Sequence, residues 1–157
     1  MSATLHPNAV HVADTLISRG HPGLILTQPE SVHTAEQAAA ALGVDVGAIV
    51  KSLVFELDGE PVLLLVSGAH RVDVRRCGER LGGTLVPASP ELVTEVTAQP
   101  VGGVAPLGHP TNLPTYVDRA LEAHPLLWAA GGYPNTVFRT TYRELLRITA
   151  GMDVDMD

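Results

Sequence analysis

Two apolar-rich runs, Val50 to Leu57 and Val62 to Ser67, stand on either side of Asp58-Gly59. No other feature restricts the fold as much. Asp-Gly between alternating runs favours the left-handed backbone of a tight hairpin turn, whose twist matches that of the strands it joins. The chain is therefore expected to build its core on an antiparallel β-hairpin. In this strand Lys51 shares a face with Leu53, Phe55 and Leu57, and Ser52 and Glu56 lie on the other.

Helical signals flank the hairpin. Ala9, Val10, Ala13, Leu16 and Ile17 recur at helical spacing and stop at Gly20. Thr34-Ala-Glu-Gln37 is a capping box that opens an alanine-rich helix closed by Gly43. Asp45 can cap a single turn before Ile49. Asp73 is placed to start a helix ending at Leu81, before Gly82-Gly83, and Ser89-Pro90-Glu91 starts another that ends near Val96. Thr141 and Glu144 cap a last helix through Ile148. Further strands are expected at 24–27, 84–86, 115–117, 126–130 and 136–139, with a short helix at 118–123. Strands and helices mix without a regular βαβ beat, which predicts an α+β fold: one mixed sheet with helices packed around it. Its 157 residues fit a single domain over 1–157, with an acidic tail at 152–157.

Charge narrows the classes of partner. The net charge of -7 weighs against broad nonspecific binding to nucleic acid. Asp153, Asp155 and Asp157 supply three of the negatives in a tail expected to fray. Nine of the ten basic residues are Arg and one is Lys51. Arg71, Arg75, Arg76 and Arg80 make a local basic cluster, read either as a solvated helix face or as a binding patch. No apolar stretch is long enough for a membrane span, and residues 1–20 lack the layout of a secretory signal, so a cytoplasmic protein without membrane partners is expected.

Three places can carry chemistry. Lys51 heads an apolar row, so its ammonium must either snorkel to the surface or meet an anion in a cleft. Gly102-Gly103-Val104-Ala105-Pro106-Leu107-Gly108 lies in a long loop, 99–113, without periodicity. Its glycines allow close backbone approach, and its N–H groups could hold a carbonyl oxygen. Gly131-Gly132 breaks a strand, as a bulge or a close passage does. Other chemistries are not indicated: no His-x-x-x-His or His-Glu-x-x-His spacing exists for a metal, and no Gly-x-Ser-x-Gly for a nucleophile. The single cysteine, Cys77, falls mid-helix and reads as an inert buried thiol. His70 and Asp73, three apart, read as an accidental pair.

Thr34-Ala-Glu-Gln-Ala-Ala, Ile49-Val-Lys-Ser-Leu-Val-Phe, Gly102-Gly-Val-Ala-Pro-Leu-Gly and Tyr116-Val-Asp-Arg, in that order, resemble the YbaK family. Its members are free-standing relatives of the editing domain inserted in bacterial prolyl-tRNA synthetases. The similarity spans about 34–146 and implies the mixed-sheet, partly barrel-like fold of that editing domain over about 25–150. It implies hydrolysis of the ester joining a wrong amino acid to tRNA: alanine, cysteine or serine on tRNA-Pro. The family's essential lysine, matched by Lys51, holds the tRNA 3′ end. The G-x-x-x-P loop, matched by Gly102 and Pro106 and including Gly103 and Gly108, lines the aminoacyl pocket. Ser52 stands where relatives often have Thr, and Gly131-Gly132 resembles the small-residue turn on the pocket wall. Some members carry an acidic residue after that turn, and 133–138 here has none.

The resemblance implies no cofactor, no DNA, and aminoacyl-tRNA as the partner, with a synthetase as a further one. An aminoacyl ester is already activated, so water, an oriented substrate and backbone donors can suffice. Gripping only the tRNA end also suits an acidic protein, with the Arg71–Arg80 cluster as an acceptor-stem contact. The alternative is a non-catalytic module that binds an aminoacyl-tRNA or nucleotide and acts with a synthetase. A third reading is a hydrolase of simple esters or amides.

Overall fold

A computed structural model describes residues 5–156. The expected hairpin is its centre: β2 (Ile49–Leu57) and β3 (Glu60–Ser67) pair antiparallel along their length, with Val50 opposite Ser67 and Leu57 opposite Glu60. Asp58 (φ 50°) and Gly59 (φ 83°) both take the left-handed backbone that the turn requires.

Around this pair the chain lays β1 (Ile25–Thr27), β4 (Leu85–Pro87), β5 (Thr115–Asp118), β6 (Leu127–Ala130), β7 (Thr136–Thr140) and β8 (Met152–Val154). They form one mixed sheet in the order β1-β7-β6-β2-β3-β5-β8, with β4 added to β2. The pairs β2–β6, β3–β5 and β5–β8 are parallel and the rest antiparallel. The helices are α1 (Pro7–Ser18), α2 (Ala35–Leu42), α3 (Val74–Leu81), α4 (Pro90–Thr97) and α5 (Tyr142–Thr149). The result is the expected α+β single domain.

Local signals set most helix ends. Thr34 Oγ1 accepts the Gln37 N–H and the Gln37 side chain accepts the Thr34 N–H, closing the capping box, while Gly43 ends α2 at φ 70°. Asp73, Ser89 and Thr141 cap α3, α4 and α5 one-sidedly, each side chain accepting the N–H three residues on and stabilising its helix by about 1 kcal/mol. Asp45 does not: it precedes the 3-10 turn Val46–Ala48 without a side-chain capping bond. In α1 the buried face is Ala9, Val12 and Leu16, whereas Val10 and Ile17 are exposed.

Two further expectations change. Apolar burial is not confined to one face of β2. Val50 and Val54 enter the larger core with Leu63, Leu65 and Phe138, while Phe55, flanked by Leu53 and Leu57, packs with Leu64, Val66, Cys77 and Met156. A central strand covered on both faces needs no polar side. Nor is the acidic tail frayed. β8 pairs with β5, Asp153 meets Arg119 at 3.1 Å, Asp155 meets Arg80 at 3.0 Å, and Met156 is buried. The third acidic residue of that tail, Asp157, lies outside the described residues.

Candidate functional site

The ladders of β2 leave a gap. On one edge β3 accompanies it from end to end. On the other, β6 pairs only with Ile49 and Val50, and β4 only from Phe55 onward. Residues 51–54 therefore have a strand partner on one side alone. The Val54 carbonyl accepts the Ala88 N–H on this open edge, and by the two-residue alternation of the antiparallel ladder the Ser52 peptide groups point the same way. A cavity of about 500 Å³ occupies the gap, a size suited to a small-molecule ligand. Its wall is chiefly apolar (Val50, Val54, Val93, Val104, Trp128, Val137), with polar points at Gln28, His33, Thr34, Lys51, Ser52 and Thr136.

Lys51 is half-buried, and its Nζ donates to the His70 backbone carbonyl at 2.6 Å. Burial pushes this amine below its ordinary 10.5; Glu36 and Asp118 oppose the shift and Arg71 adds to it. An ammonium has three donors, so the bond to His70 leaves others for a ligand. Ser52 Oγ is buried and makes no hydrogen bond within the protein, an uncommon state for a buried hydroxyl.

The loop 99–113 is held from within, in large part by the buried side chain of Gln99. Gln99 Oε1 accepts the Ala105 N–H at 2.8 Å, and Gln99 Nε2 donates to the Leu107 carbonyl at 3.4 Å. His109 Nε2 lies 2.9 Å from the Ala105 carbonyl. Val104, Ala105 and Leu107 enter the larger core. The Gly103 N–H bonds to the Pro100 carbonyl, so neither it nor the Ala105 N–H is free for a ligand. Gly102 and Val104 take no N–H part in this internal bonding, and both border the cavity.

Lys51, Ser52 and Gly102 thus meet at one cavity. The remaining candidates do not line it. Gly103 is buried against the Tyr133–Pro134 backbone, where a Cβ would stand 2.5 Å from the Tyr133 carbonyl carbon. Pro106 is buried, and Gly108 faces α1, its carbonyl 3.1 Å from His11 Nε2. Gly131 and Gly132 form the β6–β7 turn directly behind Ala130, which does border the cavity. A Cβ at Gly131 would stand 2.9 Å from Thr136 Oγ1, and one at Gly132 2.7 Å from Val12. Close passage of neighbouring chain explains both glycines.

His70 pairs not with Asp73 but with Asp118, Nδ1 to Oδ2 at 2.9 Å. Asp73 is used instead as the α3 cap. No local pattern marks residues 48 positions apart, and only the parallel pairing of β3 with β5 brings them together. Nothing local in the sequence marks His33, Gln28 or Thr136, which also border the cavity. Cys77 is buried as expected, and burial pushes its thiol upward. Among the described residues no cluster of three or more His, Cys, Asp or Glu could hold a metal, and no helix is long and apolar enough to cross a membrane.

A mixed sheet whose central strand opens onto an apolar cavity, with a lysine at its head and a glycine-rich loop beside it, defines a small α+β domain. The match of residues 29–148 to the aminoacyl-tRNA editing domain makes the assignment specific: the chain belongs to this family, of the YbaK type. A crystal structure of a candidate trans-editing enzyme for prolyl-tRNA synthetase is 44% identical, with a TM-score of 0.93 over 98% of this chain and 99% of that one. The uncharacterised protein YwhH of Bacillus subtilis strain 168 is 34% identical over 113 residues, 71% of this chain and 72% of YwhH. The proline–tRNA ligase of Maridesulfovibrio salexigens is 31% identical over 128 residues, 78% of this chain but 21% of the ligase. The chain thus spans about a fifth of that ligase and most of the free-standing relatives.

Proposed function

We propose that this protein is a trans-editing deacylase that hydrolyses the ester of mischarged tRNA, namely tRNA-Pro carrying alanine, cysteine or serine. The observation that carries the reading is the meeting of Lys51, Ser52 and Gly102 at one largely apolar cavity of about 500 Å³. Family membership and the likeness to the candidate trans-editing enzyme support it.

In this reading Lys51 grips the terminal adenosine of the tRNA by its phosphate or ribose, as a compact cation with several donors can. The aminoacyl group enters the apolar part of the cavity beside Val104 and Gly102. Ser52 offers its hydroxyl and peptide groups to the substrate's polar atoms. Water adds to the ester carbonyl carbon, the bond to the ribose oxygen breaks, and the proton from water ends on that oxygen. Because the ester is activated, holding it in place beside water and backbone donors supplies the catalysis without a protein nucleophile.

The test is a deacylation panel of mischarged tRNAs on wild type and Lys51→Ala. Wild type should hydrolyse at least one of the three, and Lys51→Ala should lose at least about 100-fold in kcat/KM, above 2.7 kcal/mol, while keeping its Tm. Unchanged turnover in the variant would falsify the role of Lys51. Binding without hydrolysis of any substrate would establish the non-catalytic module instead, and activity on simple esters alone would establish a general esterase.

A further inference from the structure

The partner of the Lys51 amine is a backbone carbonyl, and the aim of a carbonyl depends on what holds its peptide. His70 follows the turn that leaves β3. Its N–H bonds to the Ser67 carbonyl at 2.9 Å, and its ring reaches Asp118. Asp118, at the end of β5, is 1% exposed. Its Oδ2 also accepts the Ser67 N–H at 3.1 Å, and its Oδ1 accepts the Ala120 N–H at 3.0 Å. One buried carboxylate thereby ties together the end of β3, the His70 ring and the start of the 3-10 turn Arg119–Ala123. Ser67 Oγ secures the same corner, donating to the Gly47 carbonyl at 2.8 Å. Beyond His70 no regular element begins until α3, and the ring's bond to Asp118 restrains the outgoing side of this peptide.

We propose that Asp118 and His70 form a positioning pair that aims the Lys51 amine into the cavity, by fixing the backbone carbonyl that this amine hydrogen-bonds. Neither side chain touches the substrate; both act through Lys51. The inference rests on the deacylase reading for its consequence in catalysis, but its structural content does not. A side chain that orients a functional group is worth as much as the placement it secures, and small misplacements at a reacting ester cost rate heavily.

Lys51 is the sole lysine and Cys77 the sole cysteine, which gives two single-site probes in one chain. Acetylation of the Lys51 amine by an N-hydroxysuccinimidyl ester, read by peptide mass, reports its restraint. Alkylation of buried Cys77 reports general opening. The variants are His70→Ala, which removes the ring, and His70→Asn, whose amide nitrogen is attached through the same number of bonds as Nδ1 and can donate to Asp118. The ratio of Lys51 to Cys77 labelling should rise severalfold in His70→Ala and return to within about twofold of wild type in His70→Asn. In deacylation, His70→Ala should lower kcat by about tenfold with KM nearly unchanged, and His70→Asn should restore it. An unchanged labelling ratio in His70→Ala, or equal defects in the two variants, would overturn the proposal. If the ratios behave as stated while wild type hydrolyses no mischarged tRNA, the positioning pair stands and the deacylase reading falls.

Discussion

The Nζ of Lys51 stands 2.6 Å from the backbone carbonyl oxygen of His70, so the chain's sole lysine is held at the cavity by a residue from the far end of the neighbouring strand. Lys51 lies near the start of β2 and His70 just beyond the end of β3. The antiparallel register, with Lys51 opposite Val66, brings them together. The hairpin that organises the fold therefore also positions its sole lysine side chain.

The Lys51 amine should titrate below 10.5, measured from its single side-chain nitrogen signal by NMR. Burial lowers it first, so removing a neighbouring charge should move it predictably: Glu36→Gln further down, Arg71→Gln back up. The folded state sheds this proton before the unfolded state does. Stability should accordingly rise with pH between the folded value and 10.5, while any grip that needs the ammonium weakens over the same range.

Ser52→Ala should separate stability from function. Its buried Oγ has no partner within the protein, so replacing it should leave Tm unchanged or raise it by up to about 1 kcal/mol equivalent. If the hydroxyl meets substrate, deacylation should fall about tenfold or more. A drop in Tm with normal deacylation would show a structural role instead.

Adjacent glycines in the loop should respond differently. Gly102 has φ 91° and open space around a Cβ, so Gly102→Ala should cost about 1 kcal/mol of stability from backbone strain and alter activity at the cavity. Gly103→Ala drives a methyl against the Tyr133–Pro134 backbone, which cannot swing aside as a side chain can. It should lose about 1–3 kcal/mol, read by chemical denaturation.

His109 should make the loop acid-sensitive. Burial lowers its imidazole below 6.5; the bond to the Ala105 carbonyl opposes this, and Arg19 adds to it. Stability should be fully present above 6.5 and decline as pH falls through the folded value, because the unfolded chain then binds the extra proton more readily. His109→Gln, which can keep a donor to Ala105, should flatten this part of the pH profile.

The basic cluster is divided by the structure. Arg80 is engaged by Asp155 and Arg75 by Glu79, while Arg71 and Arg76 are exposed on the approach to and first turn of α3. If Arg71 and Arg76 meet the acceptor stem, replacing each with Gln should flatten the dependence of log affinity on log salt by about 1 per lost phosphate contact. An unchanged slope would leave both as solvated surface.

What could be read in the sequence was short-range. The Asp58-Gly59 turn, the Thr34–Gln37 capping box, and the caps at Asp73, Ser89 and Thr141 depend on backbone groups within a few residues, so the local pattern suffices. Lys51 and Gly102 stood out because an isolated lysine and a glycine-rich run are unusual in themselves. Tertiary structure decided the rest. The gap between β4 and β6 arises from strand pairings that no single segment encodes. The union of His70 with Asp118 needs β3 beside β5, and the ordering of the acidic tail needs Arg80 and Arg119 brought to it across the fold. Composition alone made the tail look frayed and the 99–113 loop undecided. Burial of Met156 beneath one and the Gln99 side chain within the other supply the restraint that each lacks as an isolated segment.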